Sequence, residues 1–237
     1  EVMKSGVLSA FLANSGEKFC GGPYVKKLEE MFCRRFHARY AITVNSATTA
    51  LYTAVAACNI GPGDEVLVAP YTMVASASAI LMNGAVPVFA DIDPDTYTLD
   101  PSLIERWITP HTKAILTVNI FGLPSDVPKI MEIARKHNLY VIEDNAQSPG
   151  ATVNGKEAGT MADIGVFSLN YHKVIHRGEG GVLLTDNEEL ARKCRLVRNH
   201  GELALDEEND GDTIALGSNI RMSELPAAVG IEQLKKL

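Results

Sequence analysis

One lysine, Lys173, stands between two short apolar runs, Ile164 to Phe167 and Val182 to Thr185. Both runs read as buried strands. The turn Gly178-Glu179-Gly180-Gly181 precedes the second, and glycine lets a backbone reverse where side chains would clash. Lys173 is therefore expected on a constrained loop between core strands. An amine held there loses part of its hydration, its pKa falls toward a nucleophilic range, and it can form a Schiff base with a carbonyl cofactor. The ordinary alternative is a solvated surface lysine beside a hairpin turn.

Three further stretches carry candidate chemistry. Asn45-Ser46-Ala47-Thr48-Thr49 lies between a strand and a helix start. Its amides and hydroxyls suit a phosphate; the ordinary alternative is that Asn45 or Ser46 only caps the helix. Glu143-Asp144-Asn145-Ala146-Gln147 closes another strand. If one of its two acids faces a cleft, that carboxylate can hold a proton on a ring nitrogen. Ser168 ends the strand leading to Lys173 and is a second candidate phosphate ligand, or only a strand-end hydroxyl. Together, a phosphate cradle, an acid for a pyridinium and a Schiff-base lysine describe a pyridoxal 5'-phosphate site.

The elements that must position these residues follow from periodicity. Strands are predicted over 40–44, 65–69, 86–89, 113–118, 139–143, 164–167 and 182–185. Helices are predicted over 24–38, 47–58, 72–83, 101–107, 126–137 and 187–198. Residues 1–23 read as an irregular N-terminal arm, and 205–214 as an acidic surface loop. Strands alternating with helices indicate an α/β fold with a mostly parallel seven-stranded sheet flanked by helices. Ligands in such sheets bind beyond the carboxyl ends of the strands, where all the candidate stretches fall.

Composition narrows the function. The 237 residues are 46% apolar, enough for one substantial core, and no linker divides them. A net charge of −7 with scattered Lys and Arg argues against nucleic acid and anionic membranes. No apolar run is long enough to span a bilayer. The four cysteines, Cys20, Cys33, Cys58 and Cys194, lack metal-ligand spacing, so no metal site is expected and a cytoplasmic location is.

The order of the motifs resembles the DegT/StrS group of pyridoxal-phosphate-dependent sugar aminotransferases, of fold type I. The matching stretches are VNSATTAL (44–51), GPGDEVLVAPYT (61–72), GAVPVFADIDPDT (84–96), VIEDNAQSPGA (141–151), FSLNYHK (167–173), GEGGVLLTD (178–186) and SNIRMSELPAAVGIEQLKKL (218–237). The resemblance implies that Lys173 carries the cofactor and shuttles protons. It implies that Asp144 pairs with the pyridinium nitrogen and that Gln147 approaches the phenolic oxygen. Ser46, Ala47, Thr48 and Ser168 are then phosphate ligands, and Asn219 reaches the phosphate of a neighbouring subunit in a homodimer with shared sites. Three departures stand out. Met73 replaces an aromatic residue that stacks on the ring, and its sulfur can still pack there. Asn170-Tyr171-His172 replaces a His-Pro-Thr type of sequence before the lysine. Some relatives that act as dehydratases carry histidine at the lysine position, so Lys173 favours transamination.

The implied reaction moves an amino group from a donor, glutamate, to a keto group on a nucleotide-linked sugar. Rival readings are a non-sugar aminotransferase acting on a cyclic ketone, and a sensor or scaffold homologue without turnover. Residues 1–237 are expected to be the large cofactor-binding domain, with a smaller C-terminal domain absent. An apolar face on the last helix, formed by Leu225, Ala228, Val229, Ile231 and Leu234, is expected to need a partner.

Overall fold

The computed structural model describes residues 1–12, 17–201 and 216–237. The segment expected as an acidic loop, 205–214, lies outside them. Helices α1 (Val2–Ser5) and α2 (Pro23–Phe36) precede strand β1 (Tyr40–Val44). Then follow α3 (Ala47–Ala57), β2 (Glu65–Val68), α4 (Ala75–Met82), β3 (Val86–Phe89) and α5 (Pro101–Ile104). Next come β4 (Thr112–Val118), α6 (Val127–His137) and β5 (Tyr140–Asp144). The chain continues with a small hairpin, β6 (Thr152–Val153) and β7 (Lys156–Glu157), then β8 (Ile164–Ser168) and β9 (Gly181–Thr185). Helices α7 (Glu188–Arg198) and α8 (Glu224–Leu234) complete it.

Seven strands form one sheet in the order β1-β9-β8-β5-β4-β2-β3. Strands β3, β2, β4, β5 and β8 run parallel, and β9 alone runs against its two neighbours. Since β9 is antiparallel to both β1 and β8, those two point the same way. The carboxyl ends of six strands, and the start of β9, therefore share one edge.

Central strands are buried on both faces, hence their continuous apolar runs. On one face Ile42, Leu116, Ile142 and Val166 pack under α3, α4 and α7. On the other, Phe167 and Val182 pack under α2 and α8, while Leu67, Ile115 and Val141 meet α5 and α6. Period-2 alternation splits each strand between the two cores.

Local chemistry sets the helix ends. Asp126 and Asn187 accept backbone amides at the starts of α6 and α7. Helix α2 starts with Pro23 after Gly22, which has no side chain to cap it. Its cap comes from Glu224, 200 residues on, whose carboxylate accepts the Tyr24 amide at 2.8 Å. A Cβ on Gly22 would collide with that carboxylate.

Four expectations need correction. The N-terminal arm is not wholly irregular, because α1 and a 3-10 turn at Glu17–Cys20 lie in it. The helix expected from 72 starts at Ala75, because residues 72–74 form a turn in which the Ser76 amide donates to the Met73 carbonyl. The β6–β7 hairpin went unpredicted, although Asn154-Gly155 at its tip, both at positive φ, is a strong hairpin signal. In α8 the buried face is Ala227, Gly230, Ile231 and Leu234, packed on α2, while Leu225 and Val229 face outward.

Candidate active site

Strand β5 ends in two acids that point opposite ways. Glu143 turns into the protein and is fully buried. Its carboxylate accepts the Asn119 side-chain amide at 2.8 Å and the Gly159 and Met161 backbone amides at 2.7 and 3.2 Å. Asn119 also donates to Asn145, and Asn145 donates to the Ala158 carbonyl. This network ties the β4 and β5 ends to the loop before β8. It is structural, and residue types alone did not reveal it.

Asp144 is the acid that remains for chemistry. One carboxylate oxygen accepts the Ala146 amide and the other accepts the Ser76 hydroxyl, each at 3.1 Å. Burial pushes its carboxyl above the ordinary 3.8; those two donors and the neighbouring Lys173 ammonium pull it part of the way back. A buried carboxylate held at so few points gains from a cationic N–H partner. Ser76 was missed because a serine inside a helix gives no signal of its own.

Lys173 is half-buried on the loop between β8 and β9. It lines a cleft of about 350 Å³ with Phe121, Ala146, Gln147, His172 and Val174. The Gln147 side-chain oxygen accepts the Phe121 amide at 2.8 Å, which fixes the wall facing the lysine. A larger cavity of about 810 Å³ lies elsewhere, among Asp93, Asp100, Glu105, Asp126 and Glu132. It contains no candidate residue, and its acidic lining repels phosphate.

The third component is the start of α3. Ser46 caps the helix: its hydroxyl accepts the Thr49 amide at 3.1 Å, and the Thr49 hydroxyl accepts the Ser46 amide at 3.2 Å. Accepting that bond leaves the Ser46 O–H proton to donate elsewhere. The amides of Ala47 and Thr48 belong to the first turn, which lacks intrahelical acceptors, and they point out of the helix end. Gly181, the last glycine of the GEGG run, pairs with Val44 on one side and Ser168 on the other. A Cβ there would overlap the Ser46 carbonyl, so glycine is what lets β9 press against this helix start.

The remaining candidates are more scattered. Ser168 is buried at the end of β8, and its hydroxyl accepts the Asn170 amide at 3.3 Å. Met73 is 62% exposed on the turn before α4. Asn219 is exposed and bridges Asn199, and its side-chain oxygen accepts from Arg221 at 2.8 Å. Among the described residues no group of acids, histidines and cysteines could hold a metal ion, and no helix is long and apolar enough to cross a membrane.

The sheet and its covering helices define an α/β protein that gathers a lysine, a buried aspartate and an open helix start at one edge. More particularly, the chain belongs to the DegT/DnrJ/EryC1/StrS aminotransferase family, whose sequence model matches residues 9–237. It is 42% identical over 216 residues to the GDP-perosamine synthase of Caulobacter vibrioides, covering 91% of this chain and 57% of that protein. It is 39% identical over 221 residues to the 3-oxo-glucose-6-phosphate:glutamate aminotransferase of Bacillus subtilis, covering 93% of this chain and 49% of that one. The crystal structure of ntda from Bacillus subtilis, with bound cofactor pmp, superposes with a TM-score of 0.84 at 37% identity, covering 99% of this chain and 50% of that one. The chain spans about half to three-fifths of the length of the curated relatives it matches.

Proposed function

We propose that this chain is the large cofactor-binding domain of a pyridoxal-phosphate-dependent aminotransferase. The amino group would pass from glutamate to a keto group of a nucleotide-linked sugar. The observation that carries the reading is the meeting, at one sheet edge, of Lys173, the buried carboxylate of Asp144 and the open start of α3. The donor set fits the cofactor: an amine for its aldehyde, an anion for its ring nitrogen and helix-end amides for its phosphate. When bound, the cofactor supplies an electron sink for the carbanion formed at the amino-acid carbon.

The protein's own groups do the rest. Asp144 holds a proton on the ring nitrogen. Its burial makes that ion pair strong, because the local dielectric is low. Lys173 carries protons between the carbon and nitrogen of the reacting groups. Ala47 and Thr48 offer backbone amides to the phosphate, with the Ser168 hydroxyl beside them. Gln147 braces the cleft wall and would serve the cofactor's phenolic oxygen, and Met73 would offer its sulfur to the ring face.

The active form in this reading is a cytoplasmic homodimer, with Asn219 crossing to the phosphate of the other subunit. The exposure of Asn219 supports that crossing. A second reading, an acceptor without a nucleotide, is favoured by the similarity to the relative named for 3-oxo-glucose-6-phosphate.

The test is covalent trapping. Borohydride reduction of the chain incubated with pyridoxal phosphate, followed by peptide mass mapping, should place the adduct on Lys173. An adduct on any other lysine refutes the reading.

A further inference from the structure

The cleft of Lys173 does not end at Phe121. The Tyr71 ring lies 6.1 Å from the Phe121 ring, edge to face, and the Tyr97 ring lies 5.5 Å from the Tyr71 ring. All three are open to solvent, at 45% for Tyr71, 50% for Tyr97 and 72% for Phe121. They come from the loops after β2, β3 and β4, three adjacent parallel strands, at the edge that carries Asp144. Two of the three sit in left-handed backbone, Tyr97 at φ 59° and Phe121 at φ 54°. Bulky residues avoid that region, and such strain gathers at ligand sites. Hydrogen bonds hold both: the Phe121 amide donates to Gln147 and the Tyr97 amide donates to the Asp93 carbonyl, each at 2.8 Å. The fold thus holds a row of three exposed rings, one of which, Phe121, lines the lysine cleft.

We infer that this row is a stacking shelf for the nucleobase of a nucleotide-linked acceptor. Rings of this kind take any flat π-face and contribute to affinity without reading the base edge. Only Phe121 lines the lysine cleft, so Tyr71 and Tyr97 meet a part of the ligand remote from the reacting carbon. Asp91, Asp93 and Asp95 share the loop of Tyr97. They make its surroundings poor for a diphosphate, which leaves the uncharged base for the outer rings. The inference rests on the aminotransferase reading and chooses between its two acceptors.

The test is calorimetric titration of the chain loaded with pyridoxal phosphate, using UDP and GDP, with inorganic pyrophosphate as the control that lacks a base. Both nucleotides should bind at least about fivefold tighter than pyrophosphate, since stacking contributes about 5- to 150-fold per base. Tyr71→Ala should remove most of that advantage and leave pyrophosphate binding alone, and Tyr71→Phe, which keeps the ring, should retain it. Equal binding of nucleotide and pyrophosphate overturns the inference. So does an indifferent Tyr71→Ala, or one that changes only the sedimentation of the protein, which would mean that a second copy covers the rings. Trapping of the cofactor on Lys173 is scored separately on the parent protein: its failure sinks the aminotransferase reading whatever the titrations give.

Discussion

At the scale of single residues, the adjacent acids Glu143 and Asp144 show how position divides similar chemistry. Glu143 satisfies three amides inside the protein and keeps its strand end in place. Asp144, with two donors, carries a cost that a bound cation would relieve. Burial holds its carboxyl above the ordinary 3.8, so the native state binds more protons than the unfolded chain between that value and the raised one. Stability without cofactor therefore falls as pH rises through that window, and the loss persists above it. Asp144→Asn removes the loss. Thermal melts of the cofactor-free proteins should show the variant unfolding at higher temperature near neutral pH, with the gap closing toward pH of about 4. A gap of constant size would mean that the carboxyl does not titrate this way. In the cofactor-loaded enzyme, Asp144→Ala should cut transamination by a factor on the order of a hundred or more, as loss of a proton-holding group does. Near-normal turnover in a folded variant would refute the role.

At the scale of elements, the proposed phosphate cradle depends on a contact between β9 and α3 that involves no side chain on one partner. A Cβ at Gly181 meets the Ser46 carbonyl and the Ala47 amide. Gly181→Ala must push the start of α3 away from the sheet edge, and overpacking of this kind costs about 1–3 kcal/mol. The expected outcome is a lower melting temperature together with weaker pyridoxal phosphate binding, by about tenfold, read by fluorescence titration. Gly61→Ala is the control: its added Cβ has nothing nearer than 3.9 Å and its φ is not positive, so both readouts should stay put. If Gly181→Ala leaves cofactor affinity untouched, the start of α3 is not where the phosphate sits.

At the scale of the whole molecule, the segment after residue 216 returns to the active edge. The Asn45 amide donates to the Ile220 carbonyl at 2.9 Å, which places the segment beside the end of β1. Asn219 and Arg221 flank that contact, and Asn219 is exposed. If Asn219 serves the phosphate of a second subunit, Lys173→Ala and Asn219→Ala should each be impaired alone, while mixed subunits regain activity. A hybrid dimer holds one doubly damaged site and one intact site, so equal mixing should restore roughly a quarter of the parent rate in a two-fold dimer. No recovery despite demonstrated subunit exchange would count against shared sites.

Most of the strand and helix order was legible in the sequence, because apolar periodicity and turn residues are local signals. So was the family resemblance, carried by the stretches around Thr48, Asp144, Lys173 and Gly181. What the sequence could not decide depends on contacts between distant segments. It offered two acids at the end of β5; only the sheet, with Asn119, Gly159 and Met161 folded around one of them, left Asp144 for chemistry. It offered Ser46 as ligand or cap, and the reciprocal bonds with Thr49 show that it caps the helix. It marked GEGG as a turn, whereas the tight constraint is Gly181 against a helix 134 residues earlier, at Ala47. It marked an apolar face on α8 that included Leu225 and Val229, whereas packing on α2 buries Ala227 and Gly230 with Ile231 and Leu234. The row of Tyr71, Tyr97 and Phe121 has no sequence motif, since its members become neighbours only when parallel strands bring three separate loops to one edge.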